Sequence, residues 1–201
     1  MRRLATVYVV RVAFMAAMLS AFKFAMSFIP NVEPVTLMIT VYGSAMGIAY
    51  ALPATLIFCA VEVAIYGAGS WVLLYFVYWP MLAVAASLLL RGRRYILATA
   101  LGIVGSVLFG VLSACCDTLF CLAGLAPKHI GQYWVAYYLR GLYFDLAHVI
   151  SNAVALITLY LPLVAVVRRI APVAGSRMAF YIAEEYKRTP PEDGEDCCGS
   201  D

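Results

Sequence analysis

Four residues in the last apolar stretch have the types and spacing to do chemistry. Gly141, Asp145, His148 and Asn152 are separated by 4, 3 and 4 positions, so on a helix they share one face. They open an apolar run that continues to about Val167. A carboxylate and an imidazole inside a lipid-spanning helix are expensive, and they persist there by facing a partner or a watery cavity. An Asp and a His one turn apart also have the makings of an acid–base pair, although no convincing nucleophile accompanies them. Five further polar groups sit in or beside apolar runs: Lys23, Asn31, Glu33, Glu62 and Asp117. Trp71, Tyr75 and Trp79 recur at every fourth position and fall on one helix face, with Tyr78 nearby. Such a face is either a lipid-interface belt or a wall for a planar ligand.

The elements that must position these residues follow from composition. Of 201 residues, 65% are hydrophobic and only 12% charged, with mean hydropathy +0.91. A soluble domain carries about twice that charge. The chain therefore reads as an all-α, polytopic membrane protein, a single six-transmembrane-helix bundle. Apolar runs bounded by Pro, Gly and charged residues place helices at about 7–29, 35–50, 53–66, 71–90, 95–123 and 141–167. The membrane domain covers 1–169, and 170–201 form a tail. Within the tail, Ser176 to Arg188 is a possible short helix, and the acidic, Pro-rich remainder reads as disordered. The first run is too long for a signal-peptide core and contains Lys23, so it counts as a span. Gln132 to Arg140, rich in Tyr and Trp, reads as an interfacial lead-in to the sixth span.

Small residues mark expected close approaches. Ala13, Ala17, Ala21 and Ala25 form a ladder on the first span, Gly43 and Gly47 a GxxxG pair on the second, and Gly102, Ser106, Gly110 and Ala114 a ladder on the fifth. Cys59, Cys115, Cys116 and Cys121 lie in apolar runs as small hydrophobes. Cys197 and Cys198 sit in the polar tail, and no CxxC spacing suggests a metal.

Orientation follows from basic residues. With six spans, the N-terminus, the 91–94 loop and the C-terminus share one side, which carries Arg2, Arg3, Arg91, Arg93, Arg94, Arg168, Arg169 and Arg177. The positive-inside rule makes that side, with both termini, cytoplasmic. Lys23, Glu33, Glu62, Asp117, Asp145 and His148 then all lie towards the outside. Arg11 is the comparable charge of the inner half. A one-sided cluster points to an outward-facing polar cavity, because a transmembrane proton relay needs groups at both depths. The competing reading is a set of internal ion pairs, such as Lys23 with Glu33 or Glu62.

Three stretches carry a resemblance: Ile29-Pro-Asn-Val-Glu-Pro-Val-Thr36; Glu62-Val-Ala-Ile-Tyr66-Gly67-Ala-Gly69-Ser-Trp71 with Tyr75 and Trp79; and Gly141-Leu-Tyr-Phe-Asp145-Leu-Ala-His148. Over about residues 5–168 the chain resembles the substrate-binding S components of energy-coupling factor (ECF) transporters. The resemblance implies a non-enzymatic vitamin-uptake module of the cell membrane, of bacterial type. Its ligand site would draw on Asn31, Glu33, Glu62, Trp71, Tyr75, Asp117, Asp145, His148 and Asn152. An Ala-x-x-x-Ala motif, here within Ala13, Ala17 and Ala21, would dock a shared transmembrane coupling subunit driven by two ATPase subunits. The chain would have no cofactor of its own, ATP being used by those partners, and it contains no GxxxxGK[ST] loop. No nucleic-acid partner is expected. The metal-transporting members use a histidine at the second position, where this chain has Arg2, so no metal is expected either.

The aromatic wall, carboxylates and amide suit a ring-bearing, hydrogen-bonding ligand such as a flavin, a pterin-like base or a corrinoid. Two other readings stay open at this point: a stand-alone secondary transporter, and a small intramembrane enzyme using Asp145 and His148.

Overall fold

The computed structural model describes residues 2–29, 32–90, 94–122 and 129–171, with side chains described from residue 6 onwards. Asn31, the basic positions 91 and 93, Lys128 and the whole tail from 172, including its possible helix, lie outside the described residues. The described elements are all helical: α1 (Arg2–Ala25), α2 (Val35–Met46), α3 (Ile48–Tyr66), α4 (Ser70–Leu89), α5 (Tyr95–Cys121) and α6 (Ile130–Ile170). All except α2 are long and apolar enough to cross a membrane, and together they form a helical membrane bundle. The end of the bundle carrying Lys23 and Glu62 is called the upper end below.

Helix α1 runs from Arg2 to Ala25 instead of about 7–29, and two further boundaries differ from the sequence expectation, each for a local reason. The second helix stops at Met46 instead of about 50, because Gly47 adopts φ 79° and turns the chain straight into α3. Only glycine takes that conformation without strain. The expected GxxxG pair therefore divides its labour. Gly47 makes the turn, while Gly43 is a true contact: a Cβ there would lie 2.7 Å from Ala86 Cβ and 2.9 Å from the Ser87 backbone nitrogen of α4. Starting α3 at Ile48 places Pro53 inside a helix, where its missing N–H leaves the Ala49 carbonyl unpaired. The Tyr8 hydroxyl of α1 donates to that carbonyl at 2.9 Å.

The other difference is α6. The expected lead-in at 132–140 is continuous with the span, giving one helix of 41 residues, about 61 Å at 1.5 Å per residue. Its added turns are held by α5. Tyr133 and Tyr137, one turn apart, reach Asp117 and Ser113.

Side-chain pairings fix the arrangement. Tyr8 meets Tyr50 at the lower end, the rings tilted with centroids 5.1 Å apart, and Lys23 meets Glu62 at the upper end, so α1 and α3 run parallel. Between α5 and α6, Gly102 meets Leu156, Ser106 meets Asn152, and Gly110 meets Asp145, which makes an antiparallel pair. The sequence ladder on α5 is thus the track on which α6 lies. Helix α2 is buried along nearly its whole surface, Val35 through Gly43 included, as a helix apolar all round must be. Its hydroxyls turn inward: Thr40 donates to Thr36 O at 2.6 Å and Ser44 to Val41 O at 3.1 Å. At only 12 residues, α2 is about 18 Å long. A bilayer core is about 30 Å thick. The central helix is therefore too short for the membrane its neighbours cross, and the missing length lies at its upper end.

Candidate binding site

A cavity of about 380 Å³ opens at that upper end, walled by Lys23 of α1, Met26, Ser27, Ile29 and Glu33 of the connection, Tyr66 of α3, and Trp71 and Tyr75 of α4. Local structure explains how each wall is presented. The α3–α4 turn depends on Gly67, again at φ 79°. Gly69 lets the Trp71 indole fold back over the turn, since a Cβ there would be 2.9 Å from the ring. Tyr75 follows one helical turn below Trp71, edge to face at 5.0 Å.

Lys23 is the pivot of this site. Its ammonium pairs with Glu62, donates to the Tyr75 hydroxyl at 2.6 Å, and lies 4.5 Å from the Tyr75 ring centre. Tyr66 and Phe58 rings stand 5.7 and 5.9 Å away, close enough for cation–π attraction. Glu62 is 2% exposed. It sits behind Lys23 instead of on the cavity wall, and its role here is to hold the ammonium in place. Glu33 does line the cavity, yet its Oε2 is buried with no hydrogen-bond partner. Burial pushes the Glu33 carboxyl upward, opposed by the Lys23 charge. One lysine thus stands between two carboxylates. The first is paired with the ammonium through its Oε2, while the second has a buried oxygen in want of a donor.

The remaining expected site residues gather elsewhere. Asp117 accepts hydrogen bonds from Ser70 Oγ and Tyr133 OH, both at 2.6 Å, tying the upper ends of α4, α5 and α6 together. Asp145 lies against Gly110, where any Cβ would collide with its carboxylate. It borders a second cavity of about 340 Å³ with Arg140, Tyr137, Tyr138 and Phe109. His148 is 2% exposed and Asn152 fully buried. Asn152 Nδ2 donates to Ser106 Oγ at 2.8 Å and lies 3.2 Å from His148 Nε2. The shared face of Gly141, Asp145, His148 and Asn152 is thus the face that packs on α5.

A single cavity holding all the expected residues is not what forms. Tyr78, Trp79 and Phe109 fill the space between the two cavities, with centroid separations of 4.7 to 5.9 Å, and Phe109 abuts His148 at 5.2 Å. Of the aromatic stripe on α4, Trp71 and Tyr75 border the upper cavity, while Trp79 is fully buried core. Their rings meet edge to face and do not form one flat wall. Lys23 and Tyr66 were missing from the expected site. Lys23 had a signal in the sequence, as the one lysine inside an upper half-span, while Tyr66 had none beyond its place before Gly67.

The alanine ladder has a definite position too. Ala13, Ala17 and Ala21 are all exposed on the outside of the bundle, so they are not used in internal packing.

These features define a helical membrane bundle with a polar and aromatic cavity at one end and a small-residue track on its flank. Comparison of the chain with protein-family models, curated proteins and solved structures finds no match.

Proposed function

We propose that this chain is the substrate-binding S component of an ECF-type transporter, capturing a vitamin-like small molecule at its upper, extracellular end. The observation that carries the reading is the cavity above α2. It combines an aromatic rim, an ordered ammonium and a carboxylate with an unsatisfied buried oxygen. Polar groups placed in a mostly apolar concavity orient a ligand and select it. Glu33, Trp71 and Tyr75 also come from the stretches that carry the family resemblance. The unsatisfied Glu33 oxygen favours a ring-bearing ligand that presents N–H donors, preferably cationic, since a charge-assisted bond is about twice as strong as a neutral one.

The exposed alanine ladder is the docking track in this proposal. A transmembrane coupling subunit approaches closely along Ala13, Ala17 and Ala21, and two ATPase subunits supply the energy. The protein lies in a bacterial plasma membrane with both termini in the cytoplasm. It is a binding subunit and not an enzyme.

The test is purification from its native membrane, with mass spectrometry of retained small molecules and of co-purifying chains. The expected result is one ring-bearing compound bound by the isolated chain, with two ATPase subunits recovered only in the complex. Uphill uptake by this chain alone in liposomes overturns the proposal.

A further inference from the structure

The flank of the bundle carries a feature that ligand capture does not use. Helix α1 leans on α3, touches α2 only lightly, and barely approaches α6. The gap is a lateral groove of about 540 Å³. Its floor is α2, with Leu37, Met38 and Val41, and its sides are α1 and α6. The lining is apolar from end to end except at the lower end, where Arg11 enters it. Arg11 is half-buried. It lies about one turn above Tyr8, which meets Tyr50 at the lower end of the bundle. No hydrogen bond or ion pair to Arg11 is found among the described residues, and a guanidinium at this depth is costly without an anion. Arg169 stands exposed at the same end of α6, beside Ile170, which lines the groove. Arg168 is anchored to Ser44 O at 3.0 Å.

The dimensions suit one occupant. From Arg11 to Phe22 the α1 side of the groove extends about 16 Å. Half of a hydrocarbon core is about 15 Å. The groove thus matches one leaflet in length, with its cation at the end where an arginine snorkels towards lipid phosphates. We infer that this groove is a binding site for one anionic phospholipid: an acyl chain lies on α2 between α1 and α6, and the phosphate sits on Arg11 with Arg169 beside it. The lipid fills the space between α1 and α6 and supplies a counter-ion that no described residue gives Arg11. This inference does not rest on the transport proposal.

The test uses the full chain in detergent and native mass spectrometry, with phosphatidylglycerol and phosphatidylcholine of identical acyl chains added in turn. The wild type should retain one phosphatidylglycerol at about tenfold lower lipid concentration than phosphatidylcholine. R11Q should remove that preference and R11K should keep most of it. L163W, which fills the groove, should reduce retention of both lipids. Inorganic phosphate alone should neither bind nor compete, which separates a lipid from a free anion. Equal retention of the two lipids by the wild type overturns the inference, and needs no variant to fold. So does a groove that retains no lipid and instead cross-links, through a cysteine placed at Leu159, to a second copy or another transmembrane chain.

Discussion

Replacing Lys23 with Met should be the most damaging single change at the upper cavity, and the reason is an asymmetry in its ion pair. The Lys23 side chain is 15% exposed and that of Glu62 only 2%. Breaking a buried pair from one side costs about 3–5 kcal/mol, because the partner is left charged and uncompensated. E62Q belongs at the low end, about 3 kcal/mol. Lys23 then keeps the Tyr75 hydroxyl, the facing rings, and the attraction of Glu33. K23M belongs at the high end, about 5 kcal/mol, since Glu62 has no second cation within reach of a salt bridge among the described residues. For a chain of this size each kcal/mol moves the midpoint by about 2–4 °C. Thermal unfolding in detergent, followed by tryptophan fluorescence, should therefore fall by about 6–12 °C for E62Q and about 10–20 °C for K23M. The double variant K23M/E62L removes both members of the pair and leaves only Glu33, which burial already pushes towards its neutral form, so it should unfold above either single variant, since apolar replacement of a buried pair is often neutral or better. A double variant as unstable as the sum of the singles refutes the argument, as does E62Q being worse than K23M.

Three further outcomes follow from the same geometry. G110V should drive the Asp145 carboxylate off α5 and destabilise the α5–α6 pair by about 1–3 kcal/mol, the usual cost of overpacking, read as an earlier unfolding midpoint. Burial raises the Glu33 carboxyl above its unfolded value, so its contribution to stability is complete below about pH 4.3 and is lost as pH rises through the folded value. E33Q should flatten that slope in melting curves taken from about pH 4 to about pH 8, and should also weaken a cationic ligand by about tenfold to a hundredfold, read by titration of folded protein. A17L should shift stability by no more than about 0.5 kcal/mol, since the site is exposed, and should leave ligand affinity intact while abolishing uptake in cells; loss of binding with the fold intact would remove the ladder from the docking proposal.

The extent of what could be read from sequence depended on whether one helix or two decided the outcome. Apolar runs and their Gly and Pro boundaries located all six helices, because each span answers to lipid by itself. The α5 ladder was legible for the same reason, and the structure lays α6 along it. Depth counting also brought Lys23 and Glu62 to one level, where they pair. What failed required knowledge of a neighbour. The Tyr-rich 132–140 segment has the composition of an interface belt, and its bonds from Tyr133 to Asp117 and between Tyr137 and Ser113 identify it as helix laid on α5. Gly43 and Gly47 look alike in sequence, yet one meets Ala86 while the other turns the chain. His148 looked like a cavity-facing group because its face was correctly grouped, whereas its burial against Phe109 of α5 depends on register.

The two cavities of the α1–α2 region have one cause. A central helix of about 18 Å inside a core of about 30 Å leaves space above its N-terminus, and the chain fills that space with the paired charges of Lys23 and Glu62 and a rim of rings. Because α1 leans on α3 far more than on α2, a narrow lateral groove remains over α2 between α1 and α6. A ligand above α2 and a lipid beside it therefore rest on the same helix. Gly43 sets how tightly that helix is seated on α4, with Ala86 as the stop. A G43A change should lift α2 away from α4, narrowing the groove and displacing Glu33 at once. The two effects should appear together in that variant: weaker ligand binding by titration and weaker lipid retention by mass spectrometry. In R11Q, by contrast, only the lipid should be lost. If G43A impairs one site and spares the other, α2 does not move as a unit, and the single cause is wrong.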